Sequence, residues 1–289
     1  MILHPYQNRR LLGRPASKQR GFGQASDSGM LTDMQGDRAV IEFCDVSYRV
    51  GKTAVIAELN LKVTRGETLV LLGRSGSGKT TTLKLINRLV APTTGEVRVN
   101  GASNTQGDVT RLRRGIGYVI QEVGLFPHFT VSRNIGLVPK IEGWNQERIR
   151  GRVEELLQLV GLGPEFGERY PHQLSGGQRQ RVGVARALAA DPEILLMDEP
   201  FGALDPLTRD ELQREFLALQ RRLNKSVVFV THDLREALLL GSRIALMEAG
   251  KLVTVLPPLE FVKSSDPWAA AYVRAFGDGL ESVAKRSGS

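Results

Sequence analysis

The chain is poor in the residues that make a disulfide or a zinc site. One cysteine, Cys44, stands among 289 residues, so no disulfide can close within the chain; a reducing compartment is the setting it fits, and Cys44 is expected to be a small core residue of a strand. The four histidines, His4, His128, His172 and His232, are widely scattered, and no pair has the spacing of a zinc site. The longest apolar runs, such as Ala237 to Leu240 and Ile194 to Met197, fall far short of the roughly 20 residues that cross a bilayer. No secretory leader is visible. Acid is absent from residues 1–25, which carry five basic side chains.

What is present sets the class. With 41% of its residues hydrophobic, the chain can bury one large core or two modest ones, and one domain with a subdomain is expected. Its formal charge of +8 would attract a polyanion: nucleic acid, an anionic membrane face or a nucleotide. Residues 1–37 are rich in Arg, Gln, Ser and Gly without helical or strand periodicity, and are expected to be a disordered basic tail. Met30 and Met34 offer a later start as the alternative.

The chain is organised around Gly73-Arg74-Ser75-Gly76-Ser77-Gly78-Lys79-Thr80, which follows the apolar run Thr68 to Leu72 and precedes a helical pattern from Thr81. Strand, glycine-rich loop and helix in that order make a phosphate cradle. Glycines let successive N–H groups point inward, and the helix adds the positive end of its dipole. Lys79 would reach the β- and γ-phosphates, and the Thr80 hydroxyl would ligate the accompanying Mg²⁺. Such a pattern also arises by chance as a hairpin turn with a solvated lysine, and the flanking strand and helix decide against that.

Short β-rich runs, Val40 to Val46, Leu59 to Val63 and Glu96 to Asn100, accompany this core as antiparallel strands. The helix after the loop offers Leu83, Ile86 and Val90 to a sheet, with Leu85 and Leu89 beside them. Between about 126 and 190 the texture is helical: Ile149, Val153, Leu156, Leu157 and Val160 share a face, and Gly161 ends it. Ser175 followed by Gln178 has the form of a capping box, so Gly176 and Gly177 fall in the first turn of a helix and expose a second set of free N–H groups. Polar residues close three apolar strand runs: Gln121 after 115–120, Asp198 with Glu199 after Glu193 to Met197, and His232 after Ser226 to Thr231. A parallel sheet would bring such strand ends together beside the phosphate loop. The helical tail around Trp268 to Phe276 reads as scaffold.

The order phosphate loop, strand-end glutamine, Leu174-Ser175-Gly176-Gly177-Gln178, Asp198-Glu199, Ala203-Leu204-Asp205, strand-end histidine closely resembles the ATP-binding subunit of ABC transporters, from about residue 38 to 276. The resemblance implies an α/β P-loop NTPase core, mainly a parallel sheet, with an antiparallel β-subdomain and an inserted helical subdomain, and a short tail at 277–289. It implies an ATPase working as a head-to-tail homodimer or paired with a similar cassette. Carried over, Gly73, Arg74, Ser75, Gly76, Ser77, Gly78, Lys79, Thr80 and Thr81 hold the phosphates, while Thr80, Gln121 and Asp198 surround Mg²⁺. Glu199 becomes the catalytic base and His232 the γ-phosphate sensor. Ser175, Gly176, Gly177 and Gln178 contact the partner's ATP, and Asp205 lies in the loop that crosses between subunits.

Where the family commonly has an aromatic residue before the glycine at 51, this sequence has Val50, and Tyr48, two residues earlier on the same strand face, is expected to stack on adenine. The segments Gln121 to Phe129, Phe201 to Asp205 and Tyr170 to Gln173 look most like importers for glycine betaine, choline and related osmoprotectants. That resemblance implies permease subunits whose coupling helix meets Gln121 to Phe129, an extracytoplasmic substrate-binding protein, and a peripheral position on the cytoplasmic face of the cell membrane. Many relatives add a cystathionine-synthase-type regulatory domain, for which the expectation here is absence. The rivals are a cassette moving another solute or a lipid, and a nucleic-acid-associated ABC ATPase; one cassette without sustained heptads speaks against the latter, so no nucleic acid is expected.

Overall fold

Alternation builds the first half of the protein, whose computed structural model describes residues 39–275. The expected tails at 1–37 and 277–289 lie outside the described residues. In β1 (Ala39–Val50) and β2 (Thr53–Thr64) buried Ile41, Phe43, Ile56, Leu59, Leu61 and Val63 recur at strand spacing, so one face of each strand is apolar. The two pair antiparallel with each other, and β4 (Thr94–Val99) and β5 (Ala102–Ser103) complete a sheet of order β2-β1-β4-β5. Both leading strands run longer than their apolar cores suggest, because hairpin pairing carries β1 past Val46 through an irregular register to Val50.

The second sheet has the order β10-β9-β3-β8-β7-β6. β3 (Thr68–Leu72), β6 (Ile116–Val119), β7 (Ile194–Asp198), β8 (Ser226–Thr231) and β9 (Arg243–Glu248) run parallel, and β10 (Lys251–Leu256) returns antiparallel to β9. Every residue of β3, β7 and β8 is buried, as a strand covered on both faces requires. Alternate residues of β3 feed two cores. Leu69 and Leu71 face the antiparallel sheet and α1 (Lys79–Ile86), while Val70 and Leu72 face the helical side.

Helix α1 is shorter than the apolar spacing suggests. It stops at Ile86, Arg88 turns to φ +53°, and Leu89 is left exposed. The reason is tertiary: buried Asn104 donates to the Leu85 and Ile86 carbonyls (2.6 and 3.0 Å), and Arg113 of α2 (Val109–Arg114) takes those of Asn87 and Arg88. These partners satisfy carbonyls that a longer helix would have used itself. The helical part follows with α3 (Val131–Ile135), α4 (Leu137–Ile141), α5 (Gln146–Leu159) and α6 (Gly176–Leu188). Then come α7 (Pro206–Leu223), α8 (Leu234–Leu240), α9 (Pro258–Val262) and α10 (267–275). Among the described residues no helix is long and apolar enough to cross a membrane.

Candidate active site

Four neighbouring parallel strands deliver their carboxyl ends to one side of the sheet, and each delivers one piece of the site. β3 runs into Gly73–Thr80, and β8, paired to it at Leu72 and Thr231, runs into His232. β7 pairs with β8 at Asp198 and Val230 and ends in Asp198-Glu199. β6 leads to Gln121 two residues beyond its end, not at the strand end itself. The sequence order is scattered over 160 positions, and the sheet's pairing alone makes them neighbours.

The phosphate loop is held by close backbone approach. A side chain at Gly73 would collide with the Met247 carbonyl, and Gly78 stands at φ +101°, with Ile56 2.5 Å from where a Cβ would be. Lys79 is only 4% exposed. Its ammonium donates to the carbonyls of Gly73 (2.7 Å) and Arg74 (2.8 Å), and burial lowers its pKa against the opposing pull of Glu199, Asp198 and Glu248. A desolvated ammonium turned to neutral carbonyls, beside an open cleft, suits an anionic oxygen.

Thr80 donates its hydroxyl to Asp198 Oδ1 at 2.9 Å. Burial raises the Asp198 pKa, and the Thr80 hydrogen bond works against that rise. Tyr118 on β6 lies against the same carboxylate, and burial, with Asp198's charge adding, pushes its phenol above the usual range. A threonine hydroxyl and a desolvated carboxylate converging on one point fit a divalent cation. Among the described residues no cluster of three or more His, Cys, Asp or Glu offers an alternative metal site.

Glu199 sits in the left-handed region at φ +43°, unusual for a non-glycine residue, and its amide donates to the Val230 carbonyl at 3.1 Å. Its carboxylate lies 3.1 Å from His232 Nδ1. The turn carrying His232 is braced from behind: Thr231 donates to buried Glu236 (2.5 Å), Gln213 of α7 donates to the other oxygen (3.0 Å), and the Asp233 amide donates back to Thr231 (3.0 Å). Burial raises the Glu236 pKa. Sequence reading passed over Tyr118 and Glu236; the signal available for Glu236 was an acid flanked by Leu234 and Ala237 on the buried side of α8.

The cleft in front of the loop measures about 720 Å³ and is lined by Arg74, Ser75, Gly76, Gly78, Lys79, Thr80, Thr81, Gln121, Glu199 and His232, with Val55, Trp268, Ala271 and Tyr272 opposite. One expectation needs correction. The segment from Trp268 is a wall of the cleft rather than scaffold. Tyr48 does not line it: half-buried, it packs on the second core, and its strand neighbours across the pair, Val55 and Ile56, are what reach the loop.

Ser175, Gly176, Gly177 and Gln178 do not line this cleft either. They form the first turn of α6, with the expected capping box: Ser175 Oγ accepts from the Gln178 amide (3.2 Å) and Gln178 Oε1 from the Ser175 amide (2.9 Å). Asp205 is the N-cap of α7, accepting from the Thr208 amide at 3.1 Å, and the Thr208 hydroxyl, with that amide second, lowers its pKa. Ser175, Gly176 and Asp205 are exposed, Gln178 is half-buried and Gly177 buried.

A second concavity, about 1100 Å³, lies among α3, α4 and α5 beside Phe129, with Leu137, Ile141, Trp144 and Ile149 on its walls.

Comparison with known proteins gives a consistent result. The family profile described as ABC transporter matches residues 56–202. The chain is 54% identical over 217 residues to the glycine betaine/carnitine/choline transport ATP-binding protein OpuCA of Bacillus subtilis (strain 168), covering 75% of this chain and 57% of that protein. It is 53% identical over 220 residues to the glycine betaine uptake system ATP-binding protein YehX of Escherichia coli (strain K12), covering 76% of this chain and 71% of that one. The chain thus spans a little over half of the length of the first of these relatives. Among solved structures, the dimeric ATP-binding cassette MJ0796 bound to ADP and Pi superposes with a TM-score of 0.68 at 34% identity, covering 75% of this chain and 98% of that one.

Proposed function

The chain belongs to the ABC transporter ATP-binding family, and from that premise we propose that it hydrolyses ATP to energise a membrane importer for glycine betaine, choline or a related osmoprotectant. The observation that carries the ATPase reading is the convergence of Lys79, Thr80, Asp198, Glu199, Gln121 and His232 at the ends of four adjacent strands. The solute class rests on relatives that carry such transport in their names.

The loop amides and Lys79 bind and neutralise the phosphates. Glu199, fixed by its strained turn and by His232, accepts the proton of an attacking water, and His232 holds the γ-phosphate end of the site. Thr80 and Asp198, with Gln121, would hold Mg²⁺, which supplies charge neutralisation on the phosphate oxygens when bound. Arg74, Ser75, Gly76, Ser77, Gly78 and Thr81 complete the cradle. The donors at Ser175 to Gln178 lie outside the lining of their own cleft and serve the ATP of a second copy or a similar cassette, with Asp205 in the crossing loop. Adenine stacks on Tyr48 at the edge of the site.

The partners that touch the chain in this reading are the second cassette and transmembrane permease subunits whose coupling helix meets Gln121 to Phe129, beside the groove at Phe129 and Trp144. An extracytoplasmic binding protein delivers the solute, and the chain works peripherally at the cytoplasmic face of the membrane without nucleic acid. The test is hydrolysis measured against protein concentration, with sizing of Glu199→Gln in ATP. A steeper-than-linear rise and an ATP-trapped dimer are expected; a linear rise with monomers only would sink the paired reading. Vesicles holding the permease subunits should accumulate labelled glycine betaine or choline only when ATP is present.

A further inference from the structure

The segment after Gln121 is bound to the helical part of the protein, not to the sheet from which it emerges. Beyond β6 the chain turns through Val123 and Gly124, both at positive φ (+54° and +55°). Glycine tolerates that region; a β-branched valine is strained there and stays only if its surroundings hold it. What holds it is α6. Arg186 donates Nη2 to the Val123 carbonyl (2.6 Å) and Nη1 to the Gly124 carbonyl (2.7 Å). Gly183, one turn earlier on the same helix, leaves room for the valine: a Cβ there would lie 2.6 Å from Val123 Cγ1. Arg186 is half-buried, its desolvation lowers its pKa, and among the described residues no carboxylate pairs with it.

A second anchor follows. Asn134 of α3, fully buried, accepts from the Phe126 amide (2.8 Å) and donates to the carbonyls of Phe126, Phe129 and Thr130 (3.0–3.1 Å). Gln121 itself is exposed and projects into the cleft ahead of both anchors.

We propose that Arg186 is a positioning residue for Gln121: its fork across two main-chain carbonyls ties the turn after Gln121 to α6, the helix whose first turn carries Ser175 to Gln178. Any movement of α6 that presents those donors to a partner's ATP then carries Gln121 with it. The cation site is thereby completed in the same step as the dimer. Two parallel N–H donors are needed to grip both carbonyls, so lysine is not an adequate substitute. The inference rests on the ATPase reading, and it has a readout that does not.

The experiment compares the full-length chain with Arg186→Lys, Gln121→Ala and the double variant. Hydrogen exchange on the nucleotide-free proteins should show amides at 122–126 exchanging faster in Arg186→Lys while the sheet and the rest of α6 keep their protection. In hydrolysis, Arg186→Lys should lower kcat about tenfold, the scale on which such couplings act, with KM for ATP within about twofold. In the Gln121→Ala background the same change should have almost no further effect, because residues acting as one unit are non-additive. Unchanged exchange at 122–126, faster exchange throughout the chain, or losses that add in the double variant would each overturn the proposal. If the unaltered chain fails to hydrolyse ATP, the functional reading falls while the exchange comparison still decides the clamp.

Discussion

Glu199 shows how single residues are set for chemistry at a structural cost. Its left-handed backbone is held by the Val230 carbonyl, and its carboxylate is oriented by His232. Glu199→Gln keeps the shape and removes the base, so hydrolysis should fall by about 10²–10⁴-fold while ATP still binds, as measured by equilibrium titration beside turnover. Asp198 carries a cost of another kind. Burial raises its pKa, so the folded protein holds this proton more tightly than the unfolded chain, and the carboxylate lowers stability as pH rises through the interval between the two values. Nucleotide-free Asp198→Asn should therefore melt above the unaltered protein at pH 7, with the difference shrinking as the pH is lowered and the native carboxyl is protonated. On the proposed role of Asp198 at the cation site, hydrolysis should fall in the same variant. Tyr48→Ala should weaken ATP binding by about 5- to 150-fold if adenine stacks on it. Unchanged affinity there, with a loss in Trp268→Ala, would move the base onto α10.

Elements were legible in the sequence where one periodicity ran undisturbed. The fully buried, mainly apolar β3, β7 and β8 and the apolar faces of α5 and α7 lie where their patterns put them. The capping box at Ser175 and Gln178 is also local, since a four-residue pattern encodes it. Boundaries set by distant partners were not legible. Helix α1 stops early because Asn104 and Arg113 take its last carbonyls, and no residue within the helix announces that. Asn134 is similar: one buried amide group satisfies three carbonyls of the preceding segment. Asn134→Ala strands the Phe126 amide and the Phe129 carbonyl, since those of Phe126 and Thr130 keep main-chain donors, and should destabilise the protein by about 1–3 kcal/mol in denaturant unfolding, the cost of polar groups left without partners.

At the scale of the whole molecule, the site is half of something. The cleft brings together the phosphate loop, Gln121, Glu199 and His232, and it leaves the donors at Ser175 to Gln178 outside its lining. A single copy should therefore hydrolyse ATP slowly. Activity should rise more steeply than in proportion to concentration, and a variant with Ser175→Ala should inhibit the unaltered chain when the two are mixed, as measured by turnover across the mixing ratio. The groove among α3, α4 and α5 stands apart from the cleft, and the segment from Gln121 to Thr130 runs between them. A force applied at the groove thus has a covalent and hydrogen-bonded route to Gln121.

By itself the sequence determined the chemistry available here: a glycine-rich loop with its lysine and threonine, carboxylates after an apolar strand, a histidine after another, and their order along the chain. These are local facts, written in residue type and spacing. Only the tertiary structure decided which of them meet, because strand pairing in the parallel sheet, not nearness in sequence, brings Leu72 beside Thr231 and Val230 beside Asp198. It also decided that α10 walls the cleft, that Tyr48 does not line it, and that the turn after Gln121 belongs to α6. Those outcomes depend on packing between segments many residues apart, and no periodicity within either segment records them.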